Sequence, residues 1–310
     1  MLVAAPGPAA NLEGVLVQRF AIVASRVTQT NRQLIHAARA RGVDAFVADP
    51  QEAAARLEAG DVAVGRLDVL PTLDGPEPGI EALRVLEEQR VVVLNRAGAL
   101  LGAHDKLVTA LRLGANGLPH PRTAHVGENA DPGFEFPVVV KPRFGSWGKD
   151  VTVCRSRFAL RRCLRGLARR GWFRRQGAIV QELVAPRGHD LRVVVAGGEV
   201  VGAVERVAAP GEWRTNVALG GSRRTVEPSA TACLLAIRAA DSVGADLVGV
   251  DLLPDGDDRW IVLELNGAAD FTQAYAPAGE DVFDRAVTTL TREARWQLEA
   301  AALAENLLST

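Results

Sequence analysis

Two short apolar runs near residue 250 carry oxygen-bearing side chains where a buried strand ordinarily has none. Asp251 interrupts VGVDLL, and Glu264 and Asn266 interrupt IVLELN. The period-two alternation of a strand puts Glu264 and Asn266 on one face. A four-residue loop from Gly256 to Arg259 would set Asp255 opposite Trp260 and Asp251 opposite Glu264, so that three side chains converge on one sheet face. Carboxylates that close repel, and burying them unpaired costs roughly several kcal/mol. A divalent cation would relieve the repulsion. Oxygen ligands without histidine or cysteine favour Mg²⁺ or Mn²⁺ over Zn²⁺. The plain alternative is a solvated carboxylate pair bridged by an arginine.

Lysine occurs at only three positions, 106, 141 and 149, and arginine supplies every other basic residue. Such a bias leaves lysine where a compact ammonium is needed and a planar fork does not fit. Lys141 ends the run FPVVVK, and PRFGSWGKD follows it. Gly145 and Gly148 let backbone N–H groups approach an anion, with Lys141 and Lys149 on either side. The spacing is not that of a Walker A loop, because only Ser146 and Trp147 separate the glycines and Asp150 follows the lysine. A surface turn would explain the glycines; the flanking lysines favour a lid over phosphates. Farther on, Asp190 and Arg192 share one side of a strand, and Arg206 ends the next strand. Arg214, Thr215 and Asn216 lie together in the loop GEWRTNVALGG. Arginine forks suit carboxylates and phosphates, although any one of them could be a surface ion pair.

The surroundings read as three units after a loose leader over residues 1–18. From 19 to 103, short apolar strands at 20–24, 45–48, 62–64 and 91–94 alternate with helices at 31–41 and 81–88. That alternation predicts a small, mainly parallel α/β sheet. Residues 104–180 carry a helix at 106–116, the strand before the glycine loop, a helix at 156–170 and a strand at 178–184. Residues 181–310 carry a hairpin at 191–205 turned by Gly197-Gly198, a helix at 231–243, the acidic hairpin and a helix at 280–303. The class is therefore α/β, and α+β in part.

A net charge of −1 supplies no field for nucleic acid or an anionic membrane. The arginine-rich stretch 155–175 has an apolar stripe at Leu160, Leu164 and Leu167, so a solvated basic face explains it better than a nucleic-acid helix. The apolar run Val91 to Ala103 is broken by Asn95 and Arg96, which argues against a membrane span. The N-terminal residues lack the basic start of a signal peptide. Three cysteines without CxxC spacing fit reduced thiols in a cytoplasmic chain.

Taken in order, Lys106 in HDK, Pro121 and Thr123 in PxT, VVVKP, GSWGKDV, VQELV, DLR, EWRTN with GG after it, GVD and LELN resemble the ATP-grasp ligases. More narrowly they resemble the RimK-like α-L-glutamate ligases, over residues 19–300. The resemblance implies an ATP-grasp fold over 104–310 behind an N-terminal parallel-sheet pre-ATP-grasp domain. It implies that Lys106 and Lys141 contact nucleotide phosphates while Gly145, Ser146, Trp147, Gly148 and Lys149 close over them. Gln181, Glu182, Leu183 and Val184 would meet the adenine edge, and Asp190 would lie near the ribose. Arg214, Thr215 and Asn216 would border the nucleotide. Arg192, Arg206 and Asn216 would serve phosphoryl transfer and the substrate. Asp251, Glu264 and Asn266 would hold two Mg²⁺ or Mn²⁺ ions.

The activity so implied joins an amino acid, L-glutamate by resemblance, to a carboxylate acceptor, small molecule or protein tail, through an acyl phosphate, in a homo-oligomer. Two departures bear on the acceptor. The lid GSWGK is similar to those of ligases that modify a carrier protein in lysine and arginine biosynthesis. GAADFT follows Asn266 where a Ser-Ser-Pro-like stretch is more usual. A carrier-modifying ligase is thus one alternative. A nucleotide-binding module without catalysis is another, opposed by the intact set of Lys106, Lys141, Asp251, Glu264 and Asn266.

Overall fold

The computed structural model describes residues 17–128, 130–145 and 148–308. Most of the expected leader lies outside these residues, as do Ser146 and Trp147 of the lid; Val17, within the expected leader, is buried. Four apolar runs form the parallel strands β1 (Arg19–Val23), β2 (Asp44–Ala48), β3 (Val62–Gly65) and β4 (Val92–Leu94), ordered β2-β1-β3-β4. Helices α1 (Gln29–Ala40), α2 (Pro50–Arg56) and α3 (Ile80–Glu88) connect them. Thr28 starts α1 by accepting from the Asn31 N–H at 3.2 Å, and Asp49 starts α2 by accepting from Gln51 and Glu52 at 2.9 and 2.8 Å. Each cap satisfies backbone donors that have no partner within the helix. Helix α4 (Ala97–His104) leads into α5 (Lys106–Ala115), and Asp105 between them caps α5 through the Leu107 N–H at 3.0 Å.

A second sheet, antiparallel, contains β5 (Thr123–Val126), β6 (Val138–Lys141), β7 (Thr152–Cys154) and β8 (Ala178–Glu182), ordered β5-β8-β6-β7. Helices α6 (Arg157–Leu167) and α7 (Gly171–Gln176) back it. The third sheet is antiparallel, with β9 (His189–Ala196), β10 (Glu199–Val207), β11 (Ser222–Thr225), β12 (Leu247–Pro254) and β13 (Trp260–Asn266) in the order β11-β10-β9-β12-β13. Gly197 and Gly198 turn the β9–β10 hairpin with φ of 52° and 76°, which two residues with side chains would resist.

Helix α8 (Ala230–Val243) packs on one face of the third sheet, where Leu191, Val193 and Val195 point. Helix α9 (Val282–Leu308) packs on the other, where Val194 and Ala196 point. The core on the α9 side also takes in Phe20, Ile22, Val62 and Val64, so the parallel sheet and the third sheet share one apolar interior.

Several elements differ from expectation. The helix expected over 156–170 stops at Leu167, and the chain restarts as α7, burying Trp172 and Phe173 against the second sheet. Strands β5 and β11 were not legible because, unlike the buried edge strands β2 and β4, they have little or no buried face to impose alternation. Helix α4 is apolar on every side and shows no amphipathic period. Among the described residues no helix is long and apolar enough to cross a membrane.

Candidate active site

One face of the third sheet changes character along its strands. Under α9 it presents Val194, Ala196, Val204 and Leu247; beyond them the same face presents Asp190, Arg192, Arg206, Asp251 and Glu264. Cross-strand register makes two rows of these. Arg223 pairs Arg206 and Arg206 pairs Asp190; one step along, Arg192 pairs Asp251 and Asp251 pairs Glu264. The expected opposition of Asp251 and Glu264 is therefore present, but it is reached differently. Pro254, not Asp255, faces Trp260, and an irregularity between Asp251 and Leu252 restores the register. Such a bulge inserts one residue, here Leu263, and bends the strand.

A cleft opens between this face and the second sheet. Lys106, Lys141, Gly145, Gly148, Lys149, the segment 181–190, the loop 213–216, Asp251 and Glu264 all line it. Lys141 is buried at the end of β6. Burial pushes its ammonium down to about 8; the Glu264 carboxylate opposes that and Lys106 adds to it. Lys106 donates to the Gly145 carbonyl at 2.6 Å and lies 3.6 Å from a Glu264 oxygen, so it bridges lid and carboxylate. The lid also touches the EWRTN loop. Arg214 Nη1 donates to the Gly148 carbonyl at 3.3 Å, and a Cβ placed on Gly148 would lie 3.3 Å from Asn216 Oδ1. Buried Gln181 donates to Thr123 Oγ1 at 2.8 Å, and exposed Glu182 accepts from the Arg122 N–H at 3.0 Å.

The charges on the sheet face are tightly committed. Arg192 donates through Nε and Nη2 to both Asp251 oxygens, and Arg206 Nη2 adds a bond to Asp251 Oδ2 at 2.7 Å. Burial alone would raise the Asp251 carboxyl; the two guanidinia outweigh it and hold it at about 2. Arg206 also grips Asp190 in a fork at 2.7 and 2.6 Å, and Thr215 Oγ1 donates to the same carboxylate. Asp190, expected near a ribose, is thus buried and bound to Arg206 and Thr215.

The expected metal ligands differ among themselves. Asp251 Oδ2 accepts two bonds and Oδ1 one, which leaves one lone pair of about four on the carboxylate. Glu264 is half-buried, with Lys106 as its ion-pair partner. The Asn266 amide nitrogen is buried without a hydrogen-bond partner, and a half-turn of the amide puts the carbonyl oxygen, a hard ligand, in that place. Among the described residues no three His, Cys, Asp or Glu side chains group as a cation site. Glu264, Asn266 and one Asp251 oxygen are nonetheless chemically suited to Mg²⁺ or Mn²⁺.

Two groups of residues were not singled out from the sequence. Val139, Val151, Leu253 and Leu263, with the expected Leu183, give the cleft apolar walls on which a flat ring can lie. Their signal was parity: Val139 lies two before Lys141, and Leu253 two after Asp251. The second group ties the parallel unit to the chain beyond Asn266. Buried Arg66 donates to Asn31 Oδ1 at 2.7 Å and to the Ala269 carbonyl at 2.9 Å. Asn95, fully buried at a φ of 54°, donates to the carbonyls of Gly65, Leu247 and Gly267 and accepts from the N–H groups of Asp246 and Leu247. No local pattern announces such long-range contacts.

This fold and cleft define an ATP-dependent ligase of the ATP-grasp class, an enzyme that forms carbon–nitrogen bonds. The profile of the RimK-like ATP-grasp domain matches residues 119–288, and the chain belongs to that family. It is 31% identical over 217 residues to the glutamate–LysW ligase ArgX of Sulfurisphaera tokodaii, a match covering 67% of this chain and 76% of the relative. It is 29% identical over 306 residues to the tetrahydromethanopterin:alpha-L-glutamate ligase of Methanosarcina acetivorans, covering 82% and 90%. The solved structure of the ATP-grasp ligase PsnB, complexed with precursor peptide PsnA2 and AMPPNP, superposes with a TM-score of 0.65 at 19% identity, covering 91% of this chain and all of that one.

Proposed function

We propose that this chain joins L-glutamate to a carboxylate acceptor, phosphorylating the acceptor from ATP before the amine attacks. The observation that carries the reading is the convergence of Lys106, Lys141, Asp251 and Glu264 on one cleft with apolar walls. A carboxylate is a poor acyl donor because its leaving group would be an oxide. The γ-phosphoryl group of ATP converts that group to phosphate, and attack by the amine then yields an amide, ADP and phosphate. Lys106 and Lys141 neutralise nucleotide phosphates, and Gly145, Gly148 and Lys149 border them on the side from which water must be kept from the acyl phosphate. Glu264, Asn266 and the free Asp251 lone pair would hold divalent cations, two by resemblance, and these would supply positive charge to offset that of phosphoryl transfer. Arg206 reaches the transferring group through Nη1, the nitrogen it does not commit to Asp190 or Asp251, and Arg192 and Asn216 border the same space.

Likeness to a glutamate–LysW ligase supports a second acceptor class, the tail of a carrier protein. The test is an ADP-release screen with L-glutamate as constant amine, varying small carboxylates and acidic peptide tails. ADP release that needs amine and acceptor together is expected. Release indifferent to both, or none with bound Mg²⁺-nucleotide, would count against the reading.

A further inference from the structure

A second cavity adjoins the nucleotide cleft and shares Arg206, Asn216 and Glu264 with it. Its far wall comes from the loops after β1 and β3, at the carboxyl ends of the parallel strands, where open α/β sheets place ligands. Five guanidinia line it, and four have partners. Arg66 is bound to Asn31 and the Ala269 carbonyl, Arg192 to Asp251, and Arg206 to Asp190 and Asp251. Arg26 lies 3.8 Å from Asp68 and 3.5 Å from Glu77. Arg223 has no carboxylate or carbonyl partner among the described residues.

The position of Arg223 makes that singular. It sits on edge strand β11 directly opposite Arg206 on β10, so both side chains leave the same sheet face. Like charges directly opposite on neighbouring strands repel. Its neighbour Arg224 points to the other face and is ion-paired with its own register partner, Glu205. The outward arginine is neutralised within the fold, and the inward one is left to an incoming anion. On the ligase reading Arg206 meets the reacting carboxylate, so an anion one strand away, about 4.8 Å across the sheet, is a second group on the same substrate or on its co-substrate.

We propose that Arg223 is a specificity-determining residue that grips a second, non-reacting carboxylate, so that this cavity selects substrates carrying two carboxylates. The proposal rests on the ligase reading above and adds the substrate class. A fork fixed on a strand meets a carboxylate in two parallel hydrogen bonds. The second carboxylate belongs either to the incoming amino acid or to the acceptor, and the chemistry at Arg223 is the same for both.

The test is calorimetric titration into the full chain saturated with AMP-PNP and Mg²⁺. The probes are L-glutamate and glutarate, each against its monoacid match, L-glutamine and butyrate. Wild type is expected to bind at least one diacid about tenfold or more tightly than its match. Arg223→Ala should reduce that diacid to the monoacid level, and Arg223→Lys should restore part of the difference. Loss confined to L-glutamate assigns the subsite to the amino acid; loss confined to glutarate assigns it to the acceptor. Diacids that bind no better than their matches, that show no binding, or that are indifferent to Arg223→Ala would overturn the proposal. AMP-PNP with Mg²⁺ is first titrated into each protein on its own, so failure of the nucleotide site itself is seen separately.

Discussion

Arg206 and Asp190 form a two-bond fork, at 2.7 and 2.6 Å, inside the wall of the nucleotide cleft. The same guanidinium reaches Asp251. A role in stability and a role in catalysis therefore fall on one side chain. Arg206→Ala leaves two buried carboxylates short of a partner, and breaking such a pair costs about 3–5 kcal/mol. It should lower the melting temperature clearly and kcat by about 10²–10³-fold, the usual loss for one oxyanion donor. Arg206→Lys keeps a charge for Asp190 but loses the second arm of the fork, so it should recover melting temperature better than kcat. A stable Arg206→Lys variant turning over like wild type would remove Arg206 from the transition state.

Glu264 and Asp251 should behave differently although both face the cleft. Asp251 compensates two arginines, so Asp251→Asn should destabilise the fold as well as stop turnover. Glu264 is half-buried and lies 3.6 Å from Lys106, so Glu264→Gln should leave the melting temperature close to wild type and abolish turnover. Mg²⁺ titration of activity is the measurement. Normal turnover of Glu264→Gln at saturating Mg²⁺ would take Glu264 out of the metal site.

Lys141 should set a pH limit on nucleotide binding. Its ammonium is held down to about 8 in the free protein, so it is charged below that pH and neutral above. Phosphates favour the charged form, so nucleotide raises this value and binding takes up a proton as pH passes 8. Affinity for ADP should then fall by up to about tenfold per pH unit above 8 and stay level below about 7. Lys141→Arg should abolish that slope and, because the planar fork fits differently, weaken binding at pH 7. Titrations at pH 7, 8 and 9 decide; an identical slope in the variant would mean another group titrates.

Gly148 has a φ of 69° and faces Asn216, so Gly148→Ala strains the lid and crowds the EWRTN loop. The left-handed conformation costs a residue with a side chain roughly 1–2 kcal/mol. If that cost falls on the closed lid, KM for ATP rises about five- to thirtyfold with little change in melting temperature. An unchanged KM would mean that the lid does not close in this conformation.

What the sequence determined by itself is what repeats locally. Period-two parity placed Glu264 beside Asn266 and Asp190 beside Arg192, and the scarcity of lysine pointed at Lys106 and Lys141, because burial and chemistry act on each residue where it stands. The α1, α5 and α8 helices and the Gly197-Gly198 turn were legible for the same reason. Strands β5 and β11 were not, since those two have little or no buried face to impose a pattern. Only the tertiary structure decided which charges meet. Asp251 could be read as a metal ligand or as an arginine partner, and it became the buried partner of Arg192 and Arg206 because β9, β10 and β12 bring them into register. Asn95 and Arg66 act on chain segments about 150 to 200 residues away, and Arg223 acquired its place only when β11 paired with β10. Pairing partners far apart in the chain are selected by the packing of whole sheets, and no short stretch of sequence contains that information.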